Sequence, residues 1–305
     1  MPGPFALTVG VFDGVHRGHV AIVDTLLREA RTSGASSVVV TLDPHPLAVL
    51  RPEAAPPMLS TADERCELLS RRGPDATLVY AFDRETAGLA PPDFLERLLP
   101  PGGDLAVLVI GYDFRMGKNR AAGLEELRDQ GARQGFRVVE VRPEGGSEPI
   151  SSTRIRALVG EGRVSEAAEL LGHRYLIQGE VIPGRGIGRT LQFPTANVDV
   201  GNSSKLLPRF GVYAVLVRIL GDDGPSRPGV MNLGVRPTFG ATEPVLEVHL
   251  LDFEGDLRGR TVAVELVRRI REEQRFDGPE ALAARIGEDV AEARKILLVP
   301  PGDLW

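Results

Sequence analysis

Two histidines spaced three residues apart follow the first apolar segment of the sequence. His16 and His19 lie in the stretch GVFDGVHRGH, where Gly10, Gly14 and Gly18 would let the backbone approach a ligand closely. A helix that begins here offers free N–H groups, which bind anions. Two imidazoles beside it can donate hydrogen bonds to phosphate oxygens as charge develops on a pentacoordinate phosphorus. The stretch therefore predicts phosphate chemistry.

A metal pair is the alternative interpretation of His16 and His19. It is disfavoured because His-x-x-His lacks the i, i+4 spacing and the glutamate of a helical zinc site. Cys66 is the single cysteine of the chain, which excludes both a multi-cysteine zinc site and an intrachain disulfide.

A second polar motif, ISSTRIR at 150–156, follows the last strand-like run of the N-terminal half and opens a helical pattern. It places hydroxyls and two guanidiniums where phosphates would lie. Taken alone it could be a capping segment, because Ser and Thr are favoured N-caps. Together with the histidine motif on the first strand, it favours a phosphate site.

The elements that must position these motifs alternate between short β-branched runs and amphipathic stretches over residues 5–141. This alternation predicts a mostly parallel sheet with helices on both faces, and ligands bind beyond the carboxyl ends of such strands. Gly34 is expected to end the first helix, and Thr61 with Glu64 forms a capping-box pattern before the second. The strand-like runs are FALTVGV, SSVVVTL, ATLVYAF, DLAVLVIG and FRVVEV.

The pattern changes to a period of two beyond Gly172, which predicts a small antiparallel barrel. The fold class is therefore α/β, with domains at 1–172 and 173–305. In 245–253 the alternation puts Glu247 and His249 on the face opposite Leu246, Val248 and Leu250. A closing helix is expected from Asp277 as N-cap, with an apolar packing stripe comprising Leu282, Ile286, Val290, Ala293 and Leu297.

The composition limits the classes of partner. The 305 residues are 42% hydrophobic and 26% charged, with a net charge of −6, which indicates a soluble globular protein without a basic nucleic-acid surface. No basic leader precedes the short apolar start, and no run approaches the roughly 20 apolar residues that span a bilayer. We expect a cytoplasmic protein with small-molecule substrates and neither nucleic-acid nor membrane partners, and leave a weak homo-oligomer open.

The N-terminal motifs together resemble the nucleotidyltransferase superfamily, which has a Rossmann-like fold and transfers AMP from ATP. TLDPHPLAVLRP at 41–52 and GYDFRMGKNRAAG at 111–123 are similar to two further motifs of the bacterial FMN adenylyltransferase module, with Leu42 and Met116 where Phe is common. The resemblance implies catalytic roles for His16 and His19. It also implies ATP binding by Gly10, Phe12, Asp13, Gly14, Ser152, Thr153 and Arg156, and a flavin-nucleotide pocket with His45, Asp113, Phe114 and Gly117.

The C-terminal motifs begin with GRGIGRTLQFPTANV at 184–198, which lacks the G-x-G-x-x-G spacing of a dinucleotide fingerprint. With MNLGVRPTFG at 231–240, LEVHLLDFEGDLRGR at 246–260 and IREEQRFDG at 270–278, it resembles the riboflavin kinase barrel. Gln192 stands where that family usually has glycine. The resemblance implies a nucleotide and flavin loop containing Gly184, Gly188, Phe193, Pro194, Thr195 and Asn197.

The same resemblance assigns Thr195 and Asn197 to Mg²⁺ and phosphate, and Glu247 to the general base. Hydroxyl and amide oxygens suit Mg²⁺, and a carboxylate can take the proton of an attacking alcohol. Without the flanking motifs, Glu247 would more often be a solvated strand residue, the usual fate of glutamate.

The chain is accordingly identified as a member of the bacterial bifunctional riboflavin kinase/FAD synthetase family. This implies that riboflavin and ATP give FMN and ADP in the barrel, and that FMN and ATP give FAD and pyrophosphate in the N-terminal domain, with Mg²⁺ serving both steps. Two alternatives remain at this point: a related adenylyltransferase with another acceptor, and a non-catalytic flavin-binding regulator.

Overall fold

The structure of the protein is a computed structural model that describes residues 3–99, 102–117, 122–144, 148–184, 187–201, 204–238 and 241–298. Parts of three sequence motifs lie outside these residues, at 118–121, 185–186 and 239–240. The chain divides into two compact units, Met1–Ser152 and Thr153–Trp305. No helix within the described ranges is long and apolar enough to cross a membrane.

The first unit contains a five-stranded sheet made of β1 (Pro4–Gly10), β2 (Ser36–Asp43), β3 (Ala76–Ala81), β4 (Asp104–Gly111) and β5 (Arg137–Val141). All neighbouring strands run parallel, in the order β3-β2-β1-β4-β5. The inner strands are apolar on both faces, as a sheet covered on both sides requires, and Leu7, Val39 and Val109 are fully buried. The predicted parallel α/β fold is confirmed.

Helices of this unit follow the strands and carry both predicted caps. They are α1 (Arg17–Ser33), α2 (Pro46–Leu50), α3 (Ala62–Ser70), α4 (Arg84–Ala87), α5 (Pro91–Leu98) and α6 (Leu124–Gln134). Gly34 ends α1 with a φ of 62°, and the capping box of Thr61 and Glu64 begins α3. The sequence did not predict α2 and α4, because five or fewer residues show no helical period.

The second unit contains a closed antiparallel barrel in the strand order β10-β7-β6-β11-β8-β9. The strands are β6 (Tyr175–Ile182), β7 (Ala196–Asp199), β8 (Gly211–Ile219), β9 (Arg227–Thr238), β10 (Ala241–Leu250) and β11 (Thr261–Arg271). The predicted barrel is confirmed. β7 was not predicted as a strand, because four residues are too few to show alternation.

Two helices precede the barrel and a short one, α9 (Ile187–Thr190), lies between β6 and β7. The preceding helices are α7 (Ser152–Gly160) and α8 (Val164–Leu171). α8 packs on β6 and β11, and the Ser165 hydroxyl donates to the Val267 carbonyl over 2.9 Å. This packing is why the compact units divide after Ser152, earlier in the chain than the boundary expected after Gly172.

The closing helix, α10 (Pro279–Leu298), packs its apolar stripe on β8, β9 and β11. The prediction of Asp277 as its N-cap is wrong. Proline is favoured at the first helical position, so the helix begins at Pro279, and the Gly278 carbonyl accepts the first helical bond from the Leu282 N–H over 3.1 Å. The stripe itself is present, with Ala293 fully buried and Val290 packed in the same cluster.

Candidate active sites

The loop after β1 has an unusual backbone. Phe12, Gly14 and Val15 have positive φ angles of 51°, 75° and 41°. Only glycine adopts this conformation freely, so Phe12 and Val15 are held there at a cost of about 1 kcal/mol or more each. The turn brings the chain from the sheet edge to the start of α1, and His16 immediately precedes the first helical residue.

The two histidines of this loop stack on each other. The ring centroids of His16 and His19 are 3.7 Å apart and their planes differ by 17°, while the Phe12 ring meets His19 edge-on at 5.3 Å. Burial lowers the pKa of His19 well below its ordinary value, and the neighbouring His16 lowers this pKa further. His19 is therefore a neutral imidazole near pH 7.

The Nδ1 atoms of His16 and His19 are both buried. That of His19 has no hydrogen-bond partner among the described residues. Nor does the described part of the chain contain any group of three or more His, Cys, Asp or Glu side chains that could hold a metal ion. An imidazole nitrogen can bind either a phosphate group or a metal ion, so the preference for two hydrogen-bonding imidazoles over a metal pair stays a prediction.

Asp13 contacts protein groups. Its carboxylate oxygens accept hydrogen bonds from the backbone N–H groups of Leu59 and Ser60, at 3.1 and 3.0 Å. The Gly14 N–H in turn donates to the Ser60 hydroxyl over 2.8 Å. These contacts tie the histidine loop to residues 59–60, and the ATP-binding role that the resemblance implies for Asp13 stays a prediction. Ser60 was missed, because no sequence signal links it to a residue 47 positions earlier.

The ISSTRIR motif meets the same loop at its first helical residue. Ser152 begins α7, and its hydroxyl donates to the Asp13 carbonyl over 3.2 Å. Thr153 is exposed and Arg156 is partly buried. Because residues four apart lie on one side of a helix, Ser152 and Arg156 share a face of α7.

The expected flavin-nucleotide residues follow the neighbouring strands. His45 comes after β2 and caps α2, its Nδ1 accepting from the Leu47 N–H over 3.0 Å. Asp113 and Phe114 follow β4 after one intervening residue, and Phe114 packs on the core. Because β2, β1 and β4 are adjacent and parallel, these residues lie at the same sheet edge as the histidine loop.

Three further positions on these motifs have structural explanations. Gly117 has a φ of 73°, and a Cβ there would lie 2.8 Å from the Pro91 ring. Leu42 and Met116, which replace the more common Phe, are buried in the hydrophobic core of this unit. The replacement of Phe by Leu42 and by Met116 therefore affects the packing of the core.

The barrel places three polar residues in one row. Glu247 on β10 is directly opposite Asn197 on β7 and Asn232 on β9. Directly opposed residues point to the same side of a sheet, with Cβ atoms about 5 Å apart. Leu246 and Val248 face the buried side, as predicted. Asn232 was missed as a site residue, although it stands in the MNLG motif.

The glycine-rich loop approaches this row too closely for any side chain. A Cβ at Gly184 would lie 2.0 Å from Nδ2 of Asn197, and one at Gly188 would lie 2.3 Å from the Phe193 carbonyl and 3.0 Å from the Thr195 hydroxyl. Gln192 has a φ of 67°, the conformation that glycine favours. Gln192 thus adopts, at some cost in strain, a backbone conformation in which the usual glycine would be unstrained.

A cavity of about 330 Å³ lies beside these residues. Arg271 at the end of β11 and Asp289 on α10 form one wall, joined by a two-point ion pair with N–O distances of 2.8 and 2.7 Å. Asp289 is 2% exposed. The sequence did not indicate this pair, because the apolar stripe of α10 predicted only that the helix packs on the barrel. The lining residues include Phe193, Thr195, Asn197, Asn232, Glu247, His249, Glu273 and Phe276.

Family models match both parts of the chain. A family model described as FAD synthetase matches residues 2–154, and one described as riboflavin kinase matches residues 171–297. The chain belongs to the bifunctional riboflavin kinase/FMN adenylyltransferase family. It phosphorylates riboflavin to FMN with ATP in the C-terminal barrel, and it adenylylates FMN to FAD in the N-terminal unit.

Individual members of the family are similar over nearly the whole chain. The bifunctional riboflavin kinase/FMN adenylyltransferase of Escherichia coli strain K12 is 39% identical over 291 residues, which cover 95% of this chain and 91% of that protein. The one from Pseudomonas fluorescens is 40% identical over 291 residues, with coverages of 95% and 92%. These matches disfavour the alternatives of another acceptor and of a non-catalytic regulator.

A solved structure extends the agreement to the fold. A protein from Streptococcus pneumoniae named a macrolide-efflux protein is 29% identical, with a TM-score of 0.81 over 96% of this chain and 95% of that one. That name describes a different activity, so this likeness supports the fold and adds nothing on the reaction.

Proposed function

We propose that Glu247 is the general base of riboflavin phosphorylation. The row of Asn197, Glu247 and Asn232 on three adjacent strands is the observation that carries this proposal. The primary hydroxyl oxygen of riboflavin forms a bond to the γ-phosphorus, the bond from that phosphorus to the β,γ-bridging oxygen breaks, and ADP leaves. Glu247 accepts the hydroxyl proton, and the two amides orient the reacting groups on either side of it.

Thr195 and Asn197 are the residues that would hold Mg²⁺ in this site. A hydroxyl and an amide oxygen are hard ligands, and Gly184 leaves the Asn197 amide room that a Cβ would fill. With only these two neutral ligands, the ion would depend on phosphate oxygens and water for its remaining coordination. When bound, Mg²⁺ neutralises charge on the ATP phosphates.

In the N-terminal unit, His16 and His19 stabilise the charge that develops on the α-phosphoryl group. A phosphate oxygen of FMN forms a bond to the α-phosphorus of ATP, and the bond to the bridging oxygen of the leaving pyrophosphate breaks. Ser152 binds phosphates beside them, and Gly10 and Gly14 allow close approach of the backbone. Thr153 and Arg156, like Phe12 and Asp13, are assigned to ATP binding by the motif resemblance alone. His45, Asp113, Phe114 and Gly117 form the pocket for the flavin nucleotide.

The functional boundary between the two activities is proposed to lie after Gly172, with residues 1–172 and 173–305 as the two domains. The packing of α8 on β6 and β11 supports including that helix in any fragment that must fold. A fragment of residues 153–305 should phosphorylate riboflavin and unfold at a higher temperature than one of residues 173–305. Equal stability of the two fragments would show that α8 contributes nothing to the barrel.

The cellular setting follows from composition. The net charge of −6 and the single cysteine support a cytoplasmic enzyme that acts on riboflavin, FMN and ATP without nucleic-acid or membrane partners. Weak self-association into a homo-oligomer is a further hypothesis, and sedimentation velocity over a range of protein concentrations tests it.

The experiment that tests the assignment compares two variants in two assays. Glu247→Gln should lose FMN formation by about 10² to 10⁴ and keep conversion of supplied FMN to FAD. The double substitution His16→Ala, His19→Ala should do the reverse, with a loss of at least about 10² in FAD formation. Near-normal FMN formation by Glu247→Gln would make Glu247 a solvated strand residue.

A further inference from the structure

His249 makes a contact that joins two separate parts of the kinase site. It lies two residues after Glu247 on the same face of β10, and its Nδ1 is 2.8 Å from the carbonyl oxygen of Pro194. A carbonyl oxygen only accepts hydrogen bonds, so Nδ1 carries the hydrogen and donates it. The Phe193 ring also meets the imidazole edge-on, with centroids 5.6 Å apart and planes at 84°.

This contact replaces strand pairing at a point where the backbone pairing stops. β7 and β10 pair through Leu246 with Val198, Glu247 with Asn197, and Val248 with Ala196. Pro194 has no N–H to donate to a continuing ladder. The His249 side chain thus supplies the next link between β10 and the loop that leads into β7.

We propose that His249 is a positioning residue of the kinase, which fixes the Phe193–Thr195 loop relative to the general base. Thr195 follows Pro194 directly, and His249 and Glu247 share one strand face. The His249–Pro194 hydrogen bond therefore adds to the pairing of β7 with β10 in holding Thr195 in place relative to Glu247. This inference rests on the roles proposed above for Thr195 and Glu247.

The opposing hypothesis is that His249 itself accepts the substrate proton. A neutral imidazole that donates from Nδ1 keeps a lone pair on Nε2, and His249 lines the cavity. The two hypotheses differ in what must be preserved. Positioning needs only a hydrogen-bond donor at Nδ1, whereas base catalysis needs a group that can take up a proton.

Matched amide variants separate these requirements. The side-chain nitrogen of Asn lies close to the place of Nδ1, and that of Gln lies close to the place of Nε2. His249→Asn should keep riboflavin phosphorylation within about twofold of wild type. His249→Gln and His249→Phe should lower kcat/KM for ATP about five- to tenfold, the effect of losing one neutral hydrogen bond, with a smaller change in KM for riboflavin. Conversion of supplied FMN to FAD by the same preparations is the internal control and should not change.

A second measurement reports on the loop without turnover. Amide hydrogen exchange in the full chain should show Thr195 and Ala196 exchanging about five- to tenfold faster in His249→Gln and His249→Phe, and near the wild-type rate in His249→Asn. This pattern of rescue is expected only if the donor at Nδ1 is what matters.

Two results would overturn the inference. If His249→Asn loses as much kinase activity as His249→Phe, the function belongs to Nε2. If all three variants keep wild-type activity and wild-type amide exchange, the hydrogen bond to Pro194 does not position the loop. Thr195→Val and Glu247→Gln, measured in parallel, identify the other kind of failure. If these two keep kinase activity, the proposed site is wrong, whereas if they lose it and His249→Gln does not, only the role of His249 is wrong.

Discussion

Ser60 and Asp13 are joined twice, although 47 residues separate them in the sequence. Both the N–H and the hydroxyl of Ser60 donate to Oδ1 of Asp13, at 3.0 and 3.3 Å. The second oxygen of the carboxylate accepts from the Leu59 N–H. The turn before His16 is thereby tied to the entrance of α3, so Asp13 influences the histidines through the backbone.

Asp13→Asn should therefore destabilise the N-terminal unit and impair adenylylation. An amide keeps one accepting oxygen but turns an NH₂ group toward a backbone N–H, which leaves a buried donor unsatisfied at a cost of about 1–3 kcal/mol. The expected results are a lower unfolding temperature and slower FAD formation, with FMN formation unchanged.

Asp24→Asn is the matched control for this change, because Asp24 forms an ion pair with Arg72 in which its side chain is half exposed. Exposed pairs contribute little, so this variant should resemble wild type in both assays. Equal behaviour of the two variants would contradict the anchoring role of Asp13.

The low pKa of His19 predicts a loss of stability in acid. The unfolded chain binds a proton on this imidazole below about pH 6.5, whereas the folded chain does not, because burial and His16 lower the pKa of His19. The unfolded state thus binds more protons below that pH, and the free energy of unfolding falls by up to about 1.4 kcal/mol per pH unit.

His19→Gln should remove this contribution. Thermal unfolding of the full chain from pH 7.5 to 5.5 should show the wild type losing about 1 kcal/mol more than the variant. Parallel pH dependence in the two proteins would mean that the folded His19 also takes up the proton.

The sequence predicts the sheet and the barrel because each uses a strong pattern. Runs such as SSVVVTL are apolar on both faces, and burial of both faces is what a parallel sheet supplies. The alternation around Glu247 holds because one face of β10 is buried. The sequence therefore predicts sidedness, and with it the direction of Glu247 and His249.

Contacts between distant residues are what the sequence alone does not predict. A motif names Asp13 but not the direction of its carboxylate, which depends on Leu59 and Ser60. Likewise, no spacing relates Arg271 to Asp289, since their pairing follows from how α10 closes on the barrel. β7 was missed because its pairing, and not a pattern within its four residues, makes it a strand.

The left-handed conformation of Gln192 predicts different outcomes for two substitutions. Gln192→Gly relieves backbone strain of about 1 kcal/mol but adds freedom to the unfolded chain, so stability should change by less than about 1 kcal/mol and kinase activity should be kept. Gln192→Val places a β-branched residue at a φ of 67°, which should displace Phe193 and Thr195 and lower FMN formation. Equal activity of both variants would show that the loop does not depend on this conformation.

Removing one partner of the buried ion pair between Arg271 and Asp289 should be costly. Asp289→Asn leaves the guanidinium facing a neutral group, and breaking such a pair from one side typically costs about 3 kcal/mol or more. Because Arg271 also lines the cavity beside Phe276, the KM for riboflavin should rise in the same variant. Conversion of supplied FMN to FAD should be unaffected.

The chain offers a control on the same helix. Arg294 of α10 pairs with Asp252 through two contacts of 2.7 Å, but both side chains are exposed, so Asp252→Asn should change little. Replacing both partners, as Arg271→Met with Asp289→Val, should recover most of the lost stability, since apolar residues of roughly similar volume carry no desolvation cost. Urea unfolding and the KM for riboflavin should be measured on the wild type and the three variants. The first reports the contribution of the pair to stability, and the second reports its contribution to flavin binding. If stability recovers in the double variant while the KM stays high, the guanidinium contributes to the flavin site directly. If Asp289→Asn is as stable as Asp252→Asn, the pair does not hold α10 on the barrel.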